Sequence, residues 1–394
     1  MSPLASPAES SETRSRVVNI GLRANTRTSG GGIVFLRELT TALAAHADAR
    51  VTVFAIGDPA GVEWPTDVDV VPVRTPRNRH VARLVATRTL QREVDRHPVD
   101  ILICPGTEVT PVLGPEIAVW PLTVAPFEAS ALEQLGATRR QRLRWELLRH
   151  LVVRACRHAD RAFFSSEYAR DLHAAASPRL QMIPTTVIHP GVSLTSAGPT
   201  LGSRGAQGDH LLFVSHLYPY KMVVEMIEAY GIAARRCPEI PPLMIAGDTR
   251  DMVYAERVKA ARQATGVADR IVLLGGVDQV RLDELYRNAR AFVFPSISEN
   301  AGSYALIDAF AYGLPVISSS TSSMPEVCGD AALLVDPREP ADMAEAMIRV
   351  CTDADLAAAL STRSRARMGW FPTWSDIAAK VVTAASEATS RGGR

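Results

Sequence analysis

Two carboxylates, Glu299 and Asp308, fall in the stretch from Pro295 to Pro315, PSISENAGSYALIDAFAYGLP. It reads as the end of a buried strand, a loop of small residues, and a helix that opens toward Asp308. The first amides of a helix have no partner within it and favour anions. Carboxylates that accept from hydroxyls, set beside amides that donate to phosphate oxygens, suit a ligand carrying sugar hydroxyls and phosphates. A second candidate loop holds Gly30, Gly31 and Gly32, between the apolar run Val17–Leu22 and the helical pattern IVFLRELTTALAAH. Consecutive glycines let backbone amides approach a phosphate or a sugar ring. The spacing is not that of a dinucleotide fingerprint, and no acidic residue closes the next strand at Val51–Ile56, which argues against a dehydrogenase.

The elements that must position these loops alternate along the chain. Apolar runs at 51–56, 67–73, 100–104, 117–124 and 159–164 read as strands of the first half, with helical patterns between several of them. In the second half strands are expected near 210–214, 243–248, 270–276, 291–296, 314–320 and 331–337, with helices over 251–265, 279–289, 305–312 and 340–350. Alternation at this pitch predicts α/β architecture, two Rossmann-like doubly wound sheets with ligands outside the carboxyl ends of their strands. The stretch 195–209 is rich in Gly, Ser, Thr and Ala without hydrophobic period, so it reads as the linker. The expected division is a disordered tail over 1–15, a first Rossmann-like domain over 16–194, a second over 210–370, and a final helical segment over 371–394. Pro372 with Trp370, Phe371 and Trp374 would break the helical pattern there and pin the join.

The 394 residues are 47% apolar and 22% charged with a formal net charge of +1, which gives no case for nucleic acid. The charge is uneven, with 23 Lys and Arg against 19 Asp and Glu up to residue 195, and 20 against 23 beyond it. Seven arginines, Arg139, Arg140, Arg142, Arg144, Arg149, Arg154 and Arg157, decorate one helical pattern, and Arg74, Arg77, Arg79, Arg83, Arg88, Arg92 and Arg96 surround another. Leu143, Leu147, Leu151 and Ala155 recur every four residues in the former and are expected to pack on the domain core, with contact to anionic lipid headgroups as the sharper alternative. Cys104, Cys156, Cys237, Cys328 and Cys351 are odd in number and unpaired in spacing, which fits a reducing cytosol. No stretch approaches the roughly 20 apolar residues that span a bilayer. Asp67 and Asp69 form a DxD pair, expected to top a surface strand rather than hold a metal.

The order of motifs resembles the retaining nucleotide-sugar glycosyltransferases of the group 1, or family 4, type. The resemblance is carried by FVSHLYPYK (213–221), by Pro295, Ser296, Glu299, Gly302, Asp308, Ala309, Gly313, Pro315 and Val316, and by Pro325, Glu326, Gly329, Ala331, Asp336 and Pro337. The Gly30–Gly32 loop and SSEYAR (165–170) look like the matching parts of the first domain. The resemblance implies the GT-B fold of two facing domains, the acceptor domain over 16–194 and the nucleotide-sugar domain over 210–370, with the final helix over 371–394 crossing back to the first. It implies catalytic Lys221, holding the donor diphosphate, and catalytic Glu299, accepting from sugar hydroxyls. It implies donor contacts from His216, from Ala301, Gly302 and Ser303, from Asp308 to the ribose, and from Gly247 and Val277 near the base. Gly30, Gly31 and Gly32 would form the acceptor or phosphate loop.

Two features depart from that family. Asn300–Ile307 makes eight residues between the two carboxylates, one more than usual, and the second is Asp rather than Glu. One residue rotates a helical position by about 100°, so the loop before the helix must absorb it. His216 stands where an arginine is usual; a histidine carries full charge only when protonated, so either activity falls with rising pH or the site is weakened. The expected function is retaining transfer of a sugar from a nucleoside diphosphate sugar to a glycan, lipid-linked or natural-product hydroxyl. No cofactor or metal is expected, and the protein is expected in the cytoplasm or peripherally at the inner membrane face. The alternatives are a GT-B protein that binds or partners without turnover, and a nucleotide-sugar epimerase.

Overall fold

The computed structural model describes residues 17–25, 31–57, 62–74, 79–106, 111–135, 138–192, 208–249 and 251–392. The expected tail over 1–15, Gly30, Arg77 and most of the expected linker lie outside the described residues, as do the side chains of Arg79 and Arg83.

Seven strands build the first sheet: β1 (Val18–Asn25), β2 (Ala49–Ile56), β3 (Asp69–Val73), β4 (Ile101–Pro105), β5 (Glu116–Trp120), β6 (Arg161–Phe164) and β7 (Thr185–Val187). All pair in parallel, in the order β3-β2-β1-β4-β5-β6-β7. Their apolar runs are buried on both faces because helices cover both, as parallel sheets require. The helices are α1 (Gly31–Ala44), α2 (Arg79–Arg96), α3 (Ala129–Leu135), α4 (Arg139–Arg157) and α5 (Glu167–Ala176). Asp67 and Asp69 are exposed where the edge strand β3 begins.

The second sheet has β8 (His210–Val214), β9 (Leu243–Ala246), β10 (Ile271–Gly275), β11 (Ala289–Phe294), β12 (Val316–Ser319) and β13 (Ala332–Val335), again all parallel, in the order β10-β9-β8-β11-β12-β13. Its helices are α6 (Val223–Arg236), α7 (Met252–Ala264), α8 (Gln279–Asn288), α9 (Tyr304–Ala311), α10 (Met324–Cys328), α11 (Pro340–Thr352) and α12 (Ala354–Arg367). In both sheets the order reverses beside the first strand of the domain, so the loops at that switch point open a crevice. The two crevices face each other.

The last helix, α13 (Trp374–Gly392), leaves the second domain and packs on α1 and β1 of the first. Phe371 is buried in the second core, while Trp374, three residues on, is buried in the first beside Phe35, with ring centroids 5.9 Å apart. The other crossing of the chain runs alongside, where the Val192 amide donates to the Pro372 carbonyl at 3.0 Å. A Cβ on Gly191 would lie 2.6 Å from the Trp374 ring, so only glycine lets the two crossings touch. Farther along α13, Glu387 meets the buried Arg161 at 3.3 Å, and Arg161 also binds Glu116 at 2.8 Å.

The arginine-rich helix α4 departs from expectation. Its buried residues are Val152, Ala155 and Cys156, with Trp145, Leu148 and Leu151 half-buried. Leu143 and Leu147 stand 72% and 55% exposed. The four-residue stripe drifts around a helix of 3.6 residues per turn, so only its C-terminal end, Leu151 and Ala155, remains on the core face.

Candidate active site

A cleft of about 950 Å³ lies between the two sheets and is lined by both domains. Its walls include His216, Lys221, Gly247, Val277, Glu299, Ala301, Gly302, Ser303, Asp308, Gly31 and Gly32. Every described residue singled out from the sequence as a site candidate is therefore brought to one place.

Lys221 is set by an irregular turn. Pro219–Lys221 forms one turn of 3-10 helix, and the buried Met222 then takes a left-handed φ of 55° before α6 begins. Such a backbone is costly for a residue other than glycine and persists where its surroundings fix it. The Tyr220 carbonyl accepts the Ile297 amide at 3.0 Å, which ties this turn to the loop after β11. The Lys221 ammonium then meets the Glu299 carboxylate in a buried ion pair and lies 4.8 Å from the Phe294 ring centroid.

Glu299 is braced through its backbone. Its amide donates to Ser322 Oγ at 2.9 Å, and its carbonyl accepts from Ser323 Oγ at 2.9 Å. Ser322 itself has a φ of 58°. Of the three loop amides expected to face a sugar or phosphate, that of Gly302 donates instead to Ser323 Oγ at 3.2 Å. Gly302 has a φ of 74°, and a Cβ there would come 2.8 Å from Val327. After this tight turn α9 starts at Tyr304 behind the N-cap Ser303.

Asp308, in the second turn of α9, reaches the cleft despite the altered spacing. Among the described residues its carboxylate has neither a hydrogen-bond donor nor a cation. Burial without such a partner pushes its pKa up to about 7. Gly247, with a φ of 145°, passes so close to the Ser215 carbonyl that a Cβ there would lie 1.8 Å from its oxygen. Beside it Asp248 accepts from the Gly276 amide at 2.7 Å, forming one end of the cleft with Val277. His216 is exposed at the rim, its ring 6.3 Å from that of Tyr218, which stacks on Tyr220 at 5.6 Å.

The first domain closes on this loop through residues the sequence did not single out by role. Tyr220, like Trp145, packs against the cluster of Ala125, Ala131 and Leu135. The Ser166 hydroxyl donates to the Asn300 carbonyl. Glu326 accepts the amides of Glu167 and Tyr168 at 2.8 and 3.0 Å, capping α5 from across the cleft, where an anion is favoured. Glu128, in the segment TVAPFEAS, accepts from Tyr168, Ser298 and Ser322, and burial pushes its pKa up against those hydrogen bonds. The signal for Glu128 was a lone acid in an apolar run; Glu326 stood within the Pro-Glu motif without an assigned role.

Known proteins resemble this chain in sequence and in fold. The family described as Glycosyl transferases group 1 matches residues 206–367. The GDP-mannose-dependent alpha-(1-6)-phosphatidylinositol monomannoside mannosyltransferase of Mycobacterium tuberculosis is 25% identical over 332 residues, 75% of this chain and 84% of that protein. The O-antigen chain mannosyltransferase B of Escherichia coli is 26% identical over 177 residues, 44% of this chain and 45% of that protein, so the match spans less than half of its length. The structure of sucrose-phosphate synthase from Thermosynechococcus elongatus superposes with a TM-score of 0.74 at 18% identity, over 95% of this chain and all of that one, a likeness of fold. Residues 206–367 thus match the family Glycosyl transferases group 1, and the two facing parallel-sheet domains share the GT-B fold of the solved glycosyltransferases.

Proposed function

We propose that the protein transfers a sugar, with retention of anomeric configuration, from a nucleoside diphosphate sugar to an acceptor hydroxyl. The observation that carries this reading is the grouping in one cleft of a buried cation, Lys221, with Glu299 and the unpartnered Asp308. Asp308 accepts the ribose hydroxyls, and Gly247 and Val277 border the base. The diphosphate takes the Lys221 ammonium, releasing Glu299 to accept from sugar hydroxyls. In the reaction the bond between the anomeric carbon and the diphosphate oxygen breaks, and its electron pair goes to that oxygen, where Lys221 stabilises the charge. The acceptor oxygen attacks from the same face and its proton passes to the leaving diphosphate, so no protein base is required. A fixed ammonium at the diphosphate lets the step proceed without a divalent metal. A GDP-mannose-dependent relative supports a nucleotide sugar as donor.

The reading extends to the acceptor. Helix α4 presents Leu143 and Leu147 to solvent among arginines while its Trp145 lines the cleft. An apolar pair in a cationic field suits the surface of an anionic bilayer, and the same helix would bring an acceptor held there to the cleft. Among the described residues no helix is long and apolar enough to cross a membrane. We place the reaction in the cytoplasm at the inner membrane face, where the five free thiols would stay reduced. A thermal-shift screen of uridine, guanosine and thymidine diphosphate sugars tests the donor reading, since a ligand of the folded state raises the melting temperature. A shift with one of them, followed by transfer to an acceptor, is expected; no shift with any would count against it.

A further inference from the structure

Glu128 belongs to the first domain, in the turn before α3, yet two of its three partners lie in the second. Its Oε1 accepts from Tyr168 at 2.8 Å and from Ser322 at 2.7 Å, and its Oε2 accepts from Ser298. Ser298 immediately precedes Glu299, and Ser322 accepts the Glu299 amide. The Ser322 hydroxyl has one proton and lies near two acceptors, Glu128 and the Glu299 carbonyl at 2.9 Å. The Glu128 oxygen is the nearer acceptor at 2.7 Å, so the Ser322 proton goes to it, while the Glu299 carbonyl keeps the Ser323 hydroxyl. The left-handed backbone of Ser322, uncommon for a serine, is what aims its hydroxyl both ways. Glu128 thus holds Glu299 through Ser298 and Ser322 without touching its side chain.

We propose that Glu128 is a positioning residue for Glu299, fastening to the first domain both Ser298, which precedes Glu299, and Ser322, which accepts its amide from the loop after β12, so that Glu299 reaches its working geometry only when the cleft closes. This rests on the transferase reading for what Glu299 does. A nucleoside diphosphate meets Lys221 and Asp308 on the second domain and needs little from Glu128, whereas turnover needs the closed loop. Nucleotide affinity and turnover therefore separate in a Glu128 variant, which a residue serving stability alone would not produce.

The test compares wild type with Glu128→Ala and Glu128→Gln. Glutamine keeps the volume, but its amide nitrogen cannot accept from a hydroxyl, so it remains informative if the alanine variant fails to fold. With UDP and GDP as probes in calorimetry, Kd is expected to stay within about twofold while kcat falls about tenfold in Glu128→Gln and further in Glu128→Ala. Small-angle scattering with the bound nucleotide is expected to give a larger radius of gyration for both variants. Wild-type kcat and compactness in Glu128→Ala would overturn the proposal, as would a joint fall of melting temperature, nucleotide affinity and kcat in Glu128→Gln. Scattering needs no turnover: a wild type that transfers no sugar would count against the transferase reading, and the radii would still decide whether Glu128 fastens the closed cleft.

Discussion

The Lys221 ammonium rests on the Glu299 carboxylate, although 78 residues separate the two in sequence. Each is held by a strained turn next to it, Met222 at a φ of 55° and Ser322 at 58°. The pair gives the cleft a neutral floor. In the proposed reaction a donor diphosphate and sugar would replace both partners at once, so that neither charge would be left buried alone.

Removing one member should therefore cost more than removing both. Lys221→Met and Glu299→Gln are each expected to lower stability, and the double variant to recover part of the loss. Urea titration of the four proteins should give a coupling of about 1–3 kcal/mol; strict additivity would mean the pair contributes nothing.

Asp308 should make both stability and donor affinity depend on pH. The unfolded chain ionises it near 3.8 and the folded one near 7. Its contribution to stability is complete below 3.8 and is lost as pH rises to 7. Asp308→Asn should then be more stable than wild type at pH 8 and show no gain below about 4, which denaturant titrations at the two pH values will show. If the ionised carboxylate receives the ribose, nucleotide-sugar affinity should rise with pH by up to about tenfold per unit below 7 and level off above it. The same titration on Asp308→Asn should lose that rise. An intact nucleotide sugar is the right probe, because a free diphosphate titrates in the same range.

Both crossings between the domains meet at Trp374. Trp374→Ala should destabilise by about 3–5 kcal/mol through the lost aromatic volume. Gly191→Ala, which drives a Cβ into the same ring, should cost about 1–3 kcal/mol. A Gly191→Ala protein as stable as wild type by denaturant titration would contradict the close packing of the two crossings.

Exposed Leu143 and Leu147 give the membrane reading a direct check. Flotation with vesicles of phosphatidylglycerol should capture the protein at low salt and release it as salt rises. Leu143→Glu with Leu147→Glu should abolish capture and leave the melting temperature within about 2 °C, since both side chains face solvent. Absence of wild-type capture at low salt would remove this part of the proposal.

Much of this molecule is written in local pattern. Buried strands such as VTVFAI and AFVFPS, and the helices between them, follow from apolar runs and periodicity because a parallel sheet covered on both faces leaves few other arrangements. That Lys221, Glu299 and Asp308 line one cleft was legible through the order of their motifs. The exposure of Leu143 was not, because a four-residue repeat looks like a core stripe until the helix is docked and its drift becomes visible. Nor was Glu128 legible as a cross-domain contact. Its partners lie 40, 170 and 194 residues away, and no local rule of spacing joins a carboxyl to serines across a cleft.

The measurement that bears most directly on the central claim is a calorimetric titration of wild type and Lys221→Ala with the nucleotide sugar selected by the thermal-shift screen, paired with a transfer assay. Wild type should bind and transfer, and Lys221→Ala should stay folded, bind about 100-fold more weakly and transfer nothing detectable, because the cation at the diphosphate is gone. Equal binding and equal transfer by the two proteins would contradict the assignment of Lys221, and with it the reading of the cleft as a donor site organised around that charge.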